Sequence, residues 1–408
     1  MLQIRKVEIF EYRVLQNVNV EFEEDSDPQI FPIASNNGGG KSTFIQLIFA
    51  VLTVGNQKDY NLLSNMMSHV DEFSMRIELQ YLKGSITLLI KKNNASKILS
   101  LYSNKEDCID ALKSRLKDTA TVKNPKLQYN SLDGGSYRGT RELICQRIRE
   151  DIRKLEEEQL ILEKKIPILK RDREVFVQDT IIKIESSIIY NPEILLYEIS
   201  QNVFMIGAPS EIYLFLNQED RELALQVDNF KYYQVICSLK NNFDNFMTYD
   251  MMGAEILIKA IYKFQDLDFE MKMKTGKYGD HIDRLLGDLD SLLQNKRIRP
   301  NEDRSALVFL DLQGKKLDVS CLSKGEVKQL AVYIWLKYIV SENSIVLIDE
   351  LETHLHPDWQ SDIPKNLEKW GPSNQYIIST HSYDLCDSLP PSNIKELGVK
   401  LRSSKKGD

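Results

Sequence analysis

Residues 341–357, with the sequence SENSIVLIDELETHLHP, contain the motif around which the chain is organised. Ile345–Ile348 is a short β-branched apolar run, which predicts a strand buried on both faces. Asp349 and Glu350 follow at its predicted end. Ligands bind at the carboxyl ends of strands in open parallel sheets, and carboxylates tolerate burial when they are paired or bound to a cation. The pair therefore indicates a site in which Asp349 holds Mg²⁺ on a nucleotide and Glu350 activates water. The alternative is an acidic turn after a strand.

Length and composition describe a globular protein of more than one domain. A chain of 408 residues is too long for one ordinary core, so we expect two or more domains. The apolar fraction of 42% and the charged fraction of 28% are typical of soluble proteins. A net charge of −7 argues against general electrostatic attraction to nucleic acid, although a local basic patch remains compatible with it.

Cysteine usage and hydropathy indicate a cytoplasmic protein. The five cysteines lie far apart and form no Cys-x-x-Cys pair, which favours a reducing compartment over a disulfide framework or a cysteine zinc site. No signal peptide is visible. The longest apolar stretch, Leu330–Val340, is too short to cross a membrane and contains Lys337. We therefore expect no membrane partner.

A glycine-rich segment near the amino terminus has the context of a phosphate-binding loop. Ile30–Ala34 is a predicted strand, SNNGGGKST occupies residues 35–43, and an apolar helix is predicted over Phe44–Val54. The pattern Gly-x-x-x-x-Gly-Lys-Ser/Thr is matched except that Ser35 replaces the first glycine. Lys41 should contact the β- and γ-phosphates, and the Ser42 hydroxyl should bind Mg²⁺. The predicted nucleotide-binding residues are Asn37, Gly38, Gly39, Gly40, Lys41, Ser42 and Thr43. The alternative is a flexible Gly-Ser loop.

A second helix N-terminus has phosphate-binding potential. LSKGE at residues 322–326 precedes an apolar helix predicted over Val327–Val340. Ser323 is placed as the N-cap, and Glu326 would complete a capping box. Capping alone does not account for Gly325, because glycine in a first helical turn costs stability unless something approaches the backbone closely. A phosphate docking at this N-terminus would account for it.

Histidines follow two of the predicted strands. Tyr376–Ile378 is a short apolar run that leads into STHS at residues 379–382. His381 would therefore lie at the carboxyl end of a core strand, where it could contact a γ-phosphate or the attacking water. His354 and His356 form a His-x-His pair after Glu350, but a zinc site would need ligands that are not evident in the sequence.

The first hundred residues alternate in β-strand fashion, whereas helical patterns follow. Residues 2–22 predict two antiparallel strands, and Met75–Leu82 with Ser85–Lys91 predicts a hairpin. In Arg141–Leu169, apolar residues recur at heptad spacing, so this segment is either a protruding coiled-coil arm or a helix packed on its own domain. Pro167 should kink or end it. The residues Val175, Ile182 and Ile189 predict an antiparallel helical partner.

Three further segments complete the prediction. Asn202–Leu216 should re-enter the sheet, and Phe230–Leu293 should be mostly helical. Ala306–Leu312 and Lys316–Val319 predict two strands. Gln201 is either a nucleotide-sensing glutamine or, more simply, a surface residue.

The order of these motifs resembles the ABC-type ATPases, in the branch that contains SMC, RecF-like and OLD-family proteins. The resemblance covers residues 1–101 and roughly 300–385. Walker A corresponds to Ser35–Ser42, the signature motif to Leu322–Glu326 and Walker B to Ile345–Glu350. Leu351–Pro357 resembles the D-loop of RecF-like and OLD-like ATPases, and His381 matches the switch histidine.

The resemblance implies an α/β fold: an ABC-ATPase head, with a P-loop mixed sheet and an antiparallel β lobe, and a helical, partly coiled-coil insertion. We expect an N-terminal lobe over 1–101, the insertion over 102–200, a mainly helical segment packing on the head over 201–300, and a C-terminal lobe over 301–408.

The resemblance also implies ATP and Mg²⁺ as cofactors, and a homodimer or higher homo-oligomer with shared ATP sites. Ser323, Gly325 and Glu326 of one copy would cover ATP bound to the P-loop of another. Glu350, His381 and Lys41 would be catalytic, and Ser42 and Asp349 would hold the metal.

Stand-alone ATPases of this type occur in bacterial anti-phage systems such as Septu, PARIS and retron-associated ATPases, where a separate effector, a nuclease or toxin, is controlled. Only 27 residues follow His381, too few for a TOPRIM nuclease domain, so we expect the effector to be a separate protein. The alternative is a RecF-like repair ATPase that binds duplex DNA. An ABC importer subunit is disfavoured by the glutamate signature, and a non-hydrolysing scaffold by the Asp349–Glu350 pair.

Overall fold

The fold is described from a computed structural model of the chain. The structure describes residues 1–36, 38–56, 62–68, 70, 73–82, 84–92, 109–114, 116–117, 127–130, 136–139, 141–165, 174–177, 180–187, 191–207, 215–223, 234, 245–249, 254–293, 295–302, 306–353 and 355–397. Two compact units are present: the first combines residues 1–90 with 184–408, and the second comprises residues 91–183.

The strands, in chain order, are β1 (Leu2–Tyr12), β2 (Leu15–Glu21), β3 (Ile30–Ala34), β4 (Ser74–Tyr81), β5 (Gly84–Lys92), β6 (Leu127–Asn130), β7 (Ser136–Gly139), β8 (Glu174–Val177), β9 (Thr180–Ser186), β10 (Val203–Gly207), β11 (Phe246–Thr248), β12 (Lys296–Pro300), β13 (Leu307–Asp311), β14 (Lys316–Leu317), β15 (Ile345–Asp349), β16 (Gln375–Ser379) and β17 (Lys395–Glu396).

The helices are α1 (Lys41–Leu52), α2 (Leu62–Met67), α3 (Arg141–Lys165), α4 (Pro192–Ser200), α5 (Gln218–Leu223), α6 (Ala254–Thr275), α7 (His281–Leu292), α8 (Lys324–Tyr338), α9 (Pro357–Trp370) and α10 (Tyr383–Asp387). In the part of the chain that the structure describes, no helix combines the length and the apolar character needed to cross a membrane.

The central sheet of the first unit has the strand order β11-β10-β15-β16-β3-β17. Each of its recorded pairings is parallel. Parallel strands are buried on both faces, which explains why every residue of β10, β15 and β16 is buried. All of these strands present their carboxyl ends at one edge. The predicted strands Ile345–Ile348 and Tyr376–Ile378 are confirmed, and Asn202–Leu216 does re-enter the sheet through β10.

A separate sheet in the first unit carries the antiparallel lobe. β1 pairs antiparallel with β2 and with β4, and the order continues to β5. The α/β fold class and the antiparallel lobe are confirmed. The P-loop sheet itself is parallel in its recorded pairs rather than mixed, because the antiparallel pairings belong to the neighbouring sheets, including β12-β13-β14.

The main core lies around the central sheet and α8. Trp335 is fully buried in α8 and makes an edge-to-face contact with Phe204 of β10, with ring centroids 6.4 Å apart. Leu257, Ile261, Leu285 and Leu289, from α6 and α7, join the same cluster. The core therefore holds the parallel strands and the helix of the signature motif in one packed body.

The second unit contains α3, the hairpin β6-β7, β8 and the first part of β9. The heptad positions Ile148, Ile152 and Leu155 of α3 are buried in a cluster with Ile109 and Ile144. The seam therefore packs against the helical residues 109–114 of its own unit. Pro167 and Ile189 lie outside the described residues.

One prediction in the middle of the chain is wrong. Val175 and Ile182 lie in strands β8 and β9 and pair with each other, so they do not form a returning helix. Their β-branched side chains suit a strand, and the seven-residue spacing was coincidental. The described part of Phe230–Leu293 is mostly helical, as expected, through α6 and α7. It also contains β11, a strand of three residues that is too short to detect against a helical background.

Candidate nucleotide-binding site

Five functional segments meet at the carboxyl edge of the central sheet. Because the strands are parallel, the residues that follow β3, β15 and β16 emerge on the same side. These residues are the P-loop, the Asp349–Glu350 pair and the segment up to His381. β10 and β11 add Gly207 and Tyr249 at this edge.

The P-loop leads directly into a helix N-terminus. Gly38 and Gly40 have φ angles of 75° and 86°, in the left-handed region that favours glycine. Gly40 is the N-cap of α1, so no side chain caps the first N–H groups of this helix. These N–H groups suit an anion. Lys41, Ser42 and Thr43 form the first turn, and Asn37 lies outside the described residues.

Ser35, which departs from the P-loop pattern, is accommodated by Gly39. A Cβ atom on Gly39 would collide with the Ser35 side chain and with the Asn36 carbonyl oxygen. The Gly39 N–H donates to that carbonyl at 2.9 Å, which closes the turn. The loop therefore tolerates serine at its first position because glycine occupies position 39.

The side chain of Lys41 lies at the centre of the site. Its Nζ atom is 2.8 Å from Nε2 of His381 and donates to the Ser35 carbonyl at 3.2 Å. Lys41 is only 5% exposed, and burial lowers the pKa of its ammonium group below the usual value. The carboxylates of Glu350, Glu352 and Asp349, in that order, partly oppose the shift in pKa. The Lys41 ammonium group thus shares the edge with three carboxylates.

Asp349 has the chemistry of a magnesium ligand. It is fully buried at the end of β15, and one carboxylate oxygen accepts a hydrogen bond from the Ser379 hydroxyl. Gly207 faces it closely: a Cβ atom there would lie 3.3 Å from the Asp349 Cβ atom. A buried carboxylate beside hydroxyl groups is a hard oxygen donor set, which Mg²⁺ prefers. The Asp349 carboxylate therefore has the chemistry that fits a magnesium ion.

Glu350 is held in an unusual backbone conformation. Its φ angle is 50°, in the left-handed region that a non-glycine residue adopts only when its surroundings impose it. Its N–H donates to the carbonyl oxygen and the hydroxyl of Ser379, at 3.2 and 3.1 Å. The Thr353 hydroxyl donates to the Glu350 carbonyl at 3.1 Å. This conformation turns the chain sharply at the end of β15.

Three residues that sequence analysis missed complete the site. Glu352 is buried and accepts a hydrogen bond from the His381 N–H at 2.5 Å. Lys328 of α8 donates to the Glu350 carbonyl at 2.8 Å, and the Tyr249 hydroxyl donates to the Asp349 carbonyl at 3.0 Å. For Glu352 the signal was its place two residues after Glu350. Tyr249 and Lys328 carried no local signal, because each approaches from a distant segment.

The signature segment forms the predicted capping box. The Ser323 hydroxyl accepts from the Glu326 N–H at 3.1 Å, and the Glu326 carboxylate accepts from the Ser323 N–H at 2.8 Å. The carboxylate also accepts from Lys296 Nζ at 2.7 and 2.8 Å. Burial by itself raises the pKa of Glu326, but the Lys296 and Ser323 hydrogen bonds outweigh it and lower the pKa. Gly325 is buried in the first turn.

An open cleft of about 850 Å³ adjoins this N-terminus. It is lined by Ser323, Lys324, Gly325, Leu355, His356, Pro357, Asp358 and Trp359, and the described part of the P-loop contributes no residue to it. The signature segment and the D-loop therefore share one surface. Within a single chain this cleft is separate from the site around Lys41.

The remaining sequence candidates, His354, His356 and Gln201, have other structural roles or lie outside the site or outside the described residues. His356 is the N-cap of α9, and its ring nitrogen accepts from the Asp358 N–H at 3.3 Å. His354 lies outside the described residues, and the described part of the chain holds no group of three metal-ligating side chains. Gln201 is exposed at the end of α4, just before the amino end of β10, so it lies at the opposite edge from the P-loop.

Two relatives match part of the chain. The Retron Ec83 probable ATPase of Escherichia coli is 35% identical over 111 residues, which cover 24% of this chain and 20% of the relative. The Retron Vc95 probable ATPase of Vibrio cholerae serotype O1 biovar El Tor is 34% identical over 88 residues, which cover 22% and 17%. The matched segments thus span no more than a fifth of either relative.

Solved structures of SMC heads match at low identity. The SMC head bound to the C-winged helix domain of ScpA is 12% identical with a TM-score of 0.37, covering 95% of this chain and 91% of that chain. The SMC head domain from Thermotoga maritima is 10% identical with a TM-score of 0.37, covering 95% and 92%.

The family is shown by a match over nearly the whole chain. A family model described as an AAA ATPase domain matches residues 2–386, which include the P-loop, the signature segment, Asp349–Glu350 and His381. The chain therefore belongs to the family of AAA ATPase domains and is similar to the retron ATPases.

Proposed function

We propose that the chain hydrolyses ATP in a Mg²⁺-dependent reaction at a site that two copies share. The observation that carries this proposal is the contact of Lys41 with His381 at the sheet edge, beside the carboxylates of Asp349 and Glu350. A lysine beside three carboxylates suits a polyphosphate that brings its own metal. The P-loop supplies the N–H groups for the phosphates.

The phosphates of ATP would bind along the P-loop and the first turn of α1. Lys41 and the backbone N–H groups at the N-terminus of α1 would balance the charge of the β- and γ-phosphates. Ser42 and Asp349 would hold Mg²⁺, which offsets charge on the phosphate oxygens when bound. The γ-phosphate would then lie next to the Lys41–His381 contact.

On this proposal Glu350 orients and deprotonates the attacking water. The water oxygen forms a bond to the γ-phosphorus, the bond to the bridging oxygen breaks, and ADP leaves with that electron pair. The carboxylate of Glu350 takes the proton that the water loses. His381 and Lys41 donate hydrogen bonds toward the charge that develops on the transferred phosphoryl group.

A second copy would close the site. One P-loop leaves the γ-phosphate open to water, whereas the exposed Ser323 heads a helix whose N-terminus suits an anion. The Ser323 oxygen accepts a hydrogen bond within the capping box, so its proton remains available for a phosphate oxygen. Gly325 would allow close approach to the backbone. A head-to-tail dimer brings these groups to the P-loop of the partner.

Complementation between two defective variants tests the shared site. Lys41→Ala removes the P-loop cation, and Ser323→Asp keeps an N-cap side chain but places a negative charge against the γ-phosphate. Each variant alone should be inactive. In a mixed dimer one site has an intact P-loop and an intact signature segment, so an equal mixture should recover about a quarter of wild-type turnover.

Ser323→Asn is the matched control, because it caps the helix without adding charge, and it should retain most of the activity. Glu350→Gln should accumulate an ATP-bound dimer that gel filtration detects. If the mixture stays inactive while Glu350→Gln shows no ATP-dependent association, the shared site is excluded.

We propose further that ATP binding and hydrolysis in this chain control a separate cytoplasmic effector, a nuclease or toxin, in anti-phage defence. The similarity to two retron ATPases and the net charge of −7 support this role over a general DNA-binding role. On this proposal the purified protein neither cuts DNA nor binds it tightly at physiological salt. Nanomolar duplex binding that falls steeply with salt would instead indicate a RecF-like repair function.

A further inference from the structure

Lys328 joins the signature helix α8 to the turn that carries Glu350. Its Nζ atom donates to the carbonyl oxygens of Glu350 and Thr353, at 2.8 and 3.1 Å. Lys328 is 6% exposed, so these bonds are shielded from water. Both acceptors are backbone atoms, at the two ends of the turn 350–353. The lysine therefore holds the shape of the turn and leaves the Glu350 carboxylate available.

Tyr249 holds Asp349, the residue that immediately precedes this turn. Its ring lies under the Lys328 ammonium, 3.9 Å from Nζ to the ring centroid, and its hydroxyl donates to the Asp349 carbonyl at 3.0 Å. Two consecutive carbonyl groups, of Asp349 and Glu350, thus accept from side chains of two different elements. Lys328 and Tyr249 together form a carbonyl clamp.

The carbonyl clamp acts on a backbone that needs support. Glu350 has a φ angle of 50°, and a non-glycine residue holds such a conformation only where several contacts impose it. The Glu350 N–H is fixed by Ser379 from β16, and its carbonyl is restrained by Lys328 from α8 together with the Thr353 hydroxyl of the turn itself. Loss of the clamp would release the turn toward an ordinary strand end and rotate the carboxylate away from its position.

The electrostatic surroundings of Lys328 also link it to the ATPase site. Burial lowers the pKa of Lys328 to about 8, although the carboxylates of Glu352, Glu350 and Asp349 oppose this shift. A buried ammonium group costs free energy unless its protons are accepted by polar atoms. Two carbonyls of the turn 350–353 and the ring of Tyr249 meet that need.

We infer that Lys328 is a positioning residue of the ATPase site, which with Tyr249 holds Glu350 in the orientation for activating water. The inference rests on the proposed role of Glu350. It also assigns a coupling role to α8: Ser323 at its N-terminus faces the nucleotide of the second copy, and Lys328, just over one turn on, contacts the Glu350 of its own site. Closure at one site is thereby transmitted to the other.

Lys328→Met tests the inference, because methionine keeps the length of the side chain and removes the donors. The variant should lose at least about tenfold in kcat, while the Kd for ATP stays within about threefold of wild type. Tyr249→Phe keeps the ring and removes only the hydroxyl, so a smaller loss in kcat is expected. Lys337→Met is the control, since Lys337 is exposed in the same helix and should leave kcat unchanged.

A double-mutant cycle separates positioning of Glu350 from a general structural role. In a Glu350→Gln background, Lys328→Met should cause little further loss in single-turnover rate, because the group that it positions is already absent. An equal loss in both backgrounds would overturn the inference. The inference would also be overturned if Lys328→Met had the wild-type kcat while Glu350→Gln, measured separately, was inactive.

The proposed function fails in a different way. If Glu350→Gln itself turns over ATP at the wild-type rate, the assignment of Glu350 is wrong whatever Lys328 does. If Lys328→Met does not fold, Tyr249→Phe and its cycle with Glu350→Gln decide the question, since that change removes a single oxygen atom.

Discussion

The Nζ atom of Lys41 lies 2.8 Å from Nε2 of His381, although 340 residues separate the two in the chain. An ammonium group can only donate, so the histidine nitrogen accepts in this contact. The lysine follows β3 and the histidine follows β16, and these two strands are neighbours in the sheet. The contact therefore joins the P-loop to the segment that follows β16.

Lys41→Ala should weaken ATP binding by about 100-fold, because one charge-assisted contact to phosphate contributes about 3 kcal/mol. Isothermal titration calorimetry measures the Kd directly. Lys369→Ala, a change at an exposed lysine of α9, is the control and should leave the Kd unchanged. An unaltered Kd for Lys41→Ala would show that the P-loop lysine does not bind nucleotide.

His381→Ala should lower kcat by about 10- to 100-fold and leave the Kd for ATP nearly unchanged, since its role is in the transition state. His381→Gln should retain more activity than His381→Asn, because the longer amide reaches the place of Nε2, the atom nearest to Lys41. Steady-state turnover with parallel calorimetry checks both. A loss of binding as large as that of Lys41→Ala would place His381 in ground-state binding instead.

Asp349→Asn should abolish the tightening of ATP binding by Mg²⁺, expected to be about tenfold in the wild type, because the buried carboxylate would be the anionic ligand of the ion. The measurement is a comparison of the Kd for ATP in Mg²⁺ and in EDTA. In EDTA the variant and the wild type should bind alike. Equal Mg²⁺ responses in the two proteins would assign the ion to other residues.

Glu326→Gln should destabilise the fold by about 2 kcal/mol at pH 7, because it breaks the buried ion pair with Lys296 while the capping box is kept. The pKa of Glu326 is lower in the folded protein than its ordinary value of 4.5. Its contribution to stability is therefore complete above about pH 4.5 and is lost as the pH falls through the lower folded value.

Chemical denaturation at several pH values measures this effect. The difference in the free energy of unfolding between wild type and Glu326→Gln should shrink as the pH falls below about 4.5. Glu368→Gln, at an exposed residue of α9, should show no such difference. If the difference in the free energy of unfolding between wild type and Glu326→Gln stayed constant with pH, the ion pair with Lys296 would not be the source of the stability.

The elements that sequence patterns predicted well are those with a strong local signal. The run Ile345–Ile348 is apolar throughout and became the fully buried β15, and the capping box at Ser323 and Glu326 formed as expected. The P-loop glycines took left-handed φ angles because only glycine adopts them without strain. By contrast, Val175 and Ile182 matched a heptad spacing by chance. They are β-branched residues, and the strands β8 and β9 that contain them pair as a hairpin.

The sequence by itself determined which chemical groups are present and which strand each of them follows, because glycine loops, caps and buried apolar runs are local properties. Only the tertiary structure decided which groups meet. Parallel pairing of β3, β15 and β16 brings Lys41, Asp349 and His381 to one edge. Packing of α8 against that edge brings Lys328 to the backbone of Glu350. Such contacts between distant segments depend on how the core closes, and no local pattern encodes them.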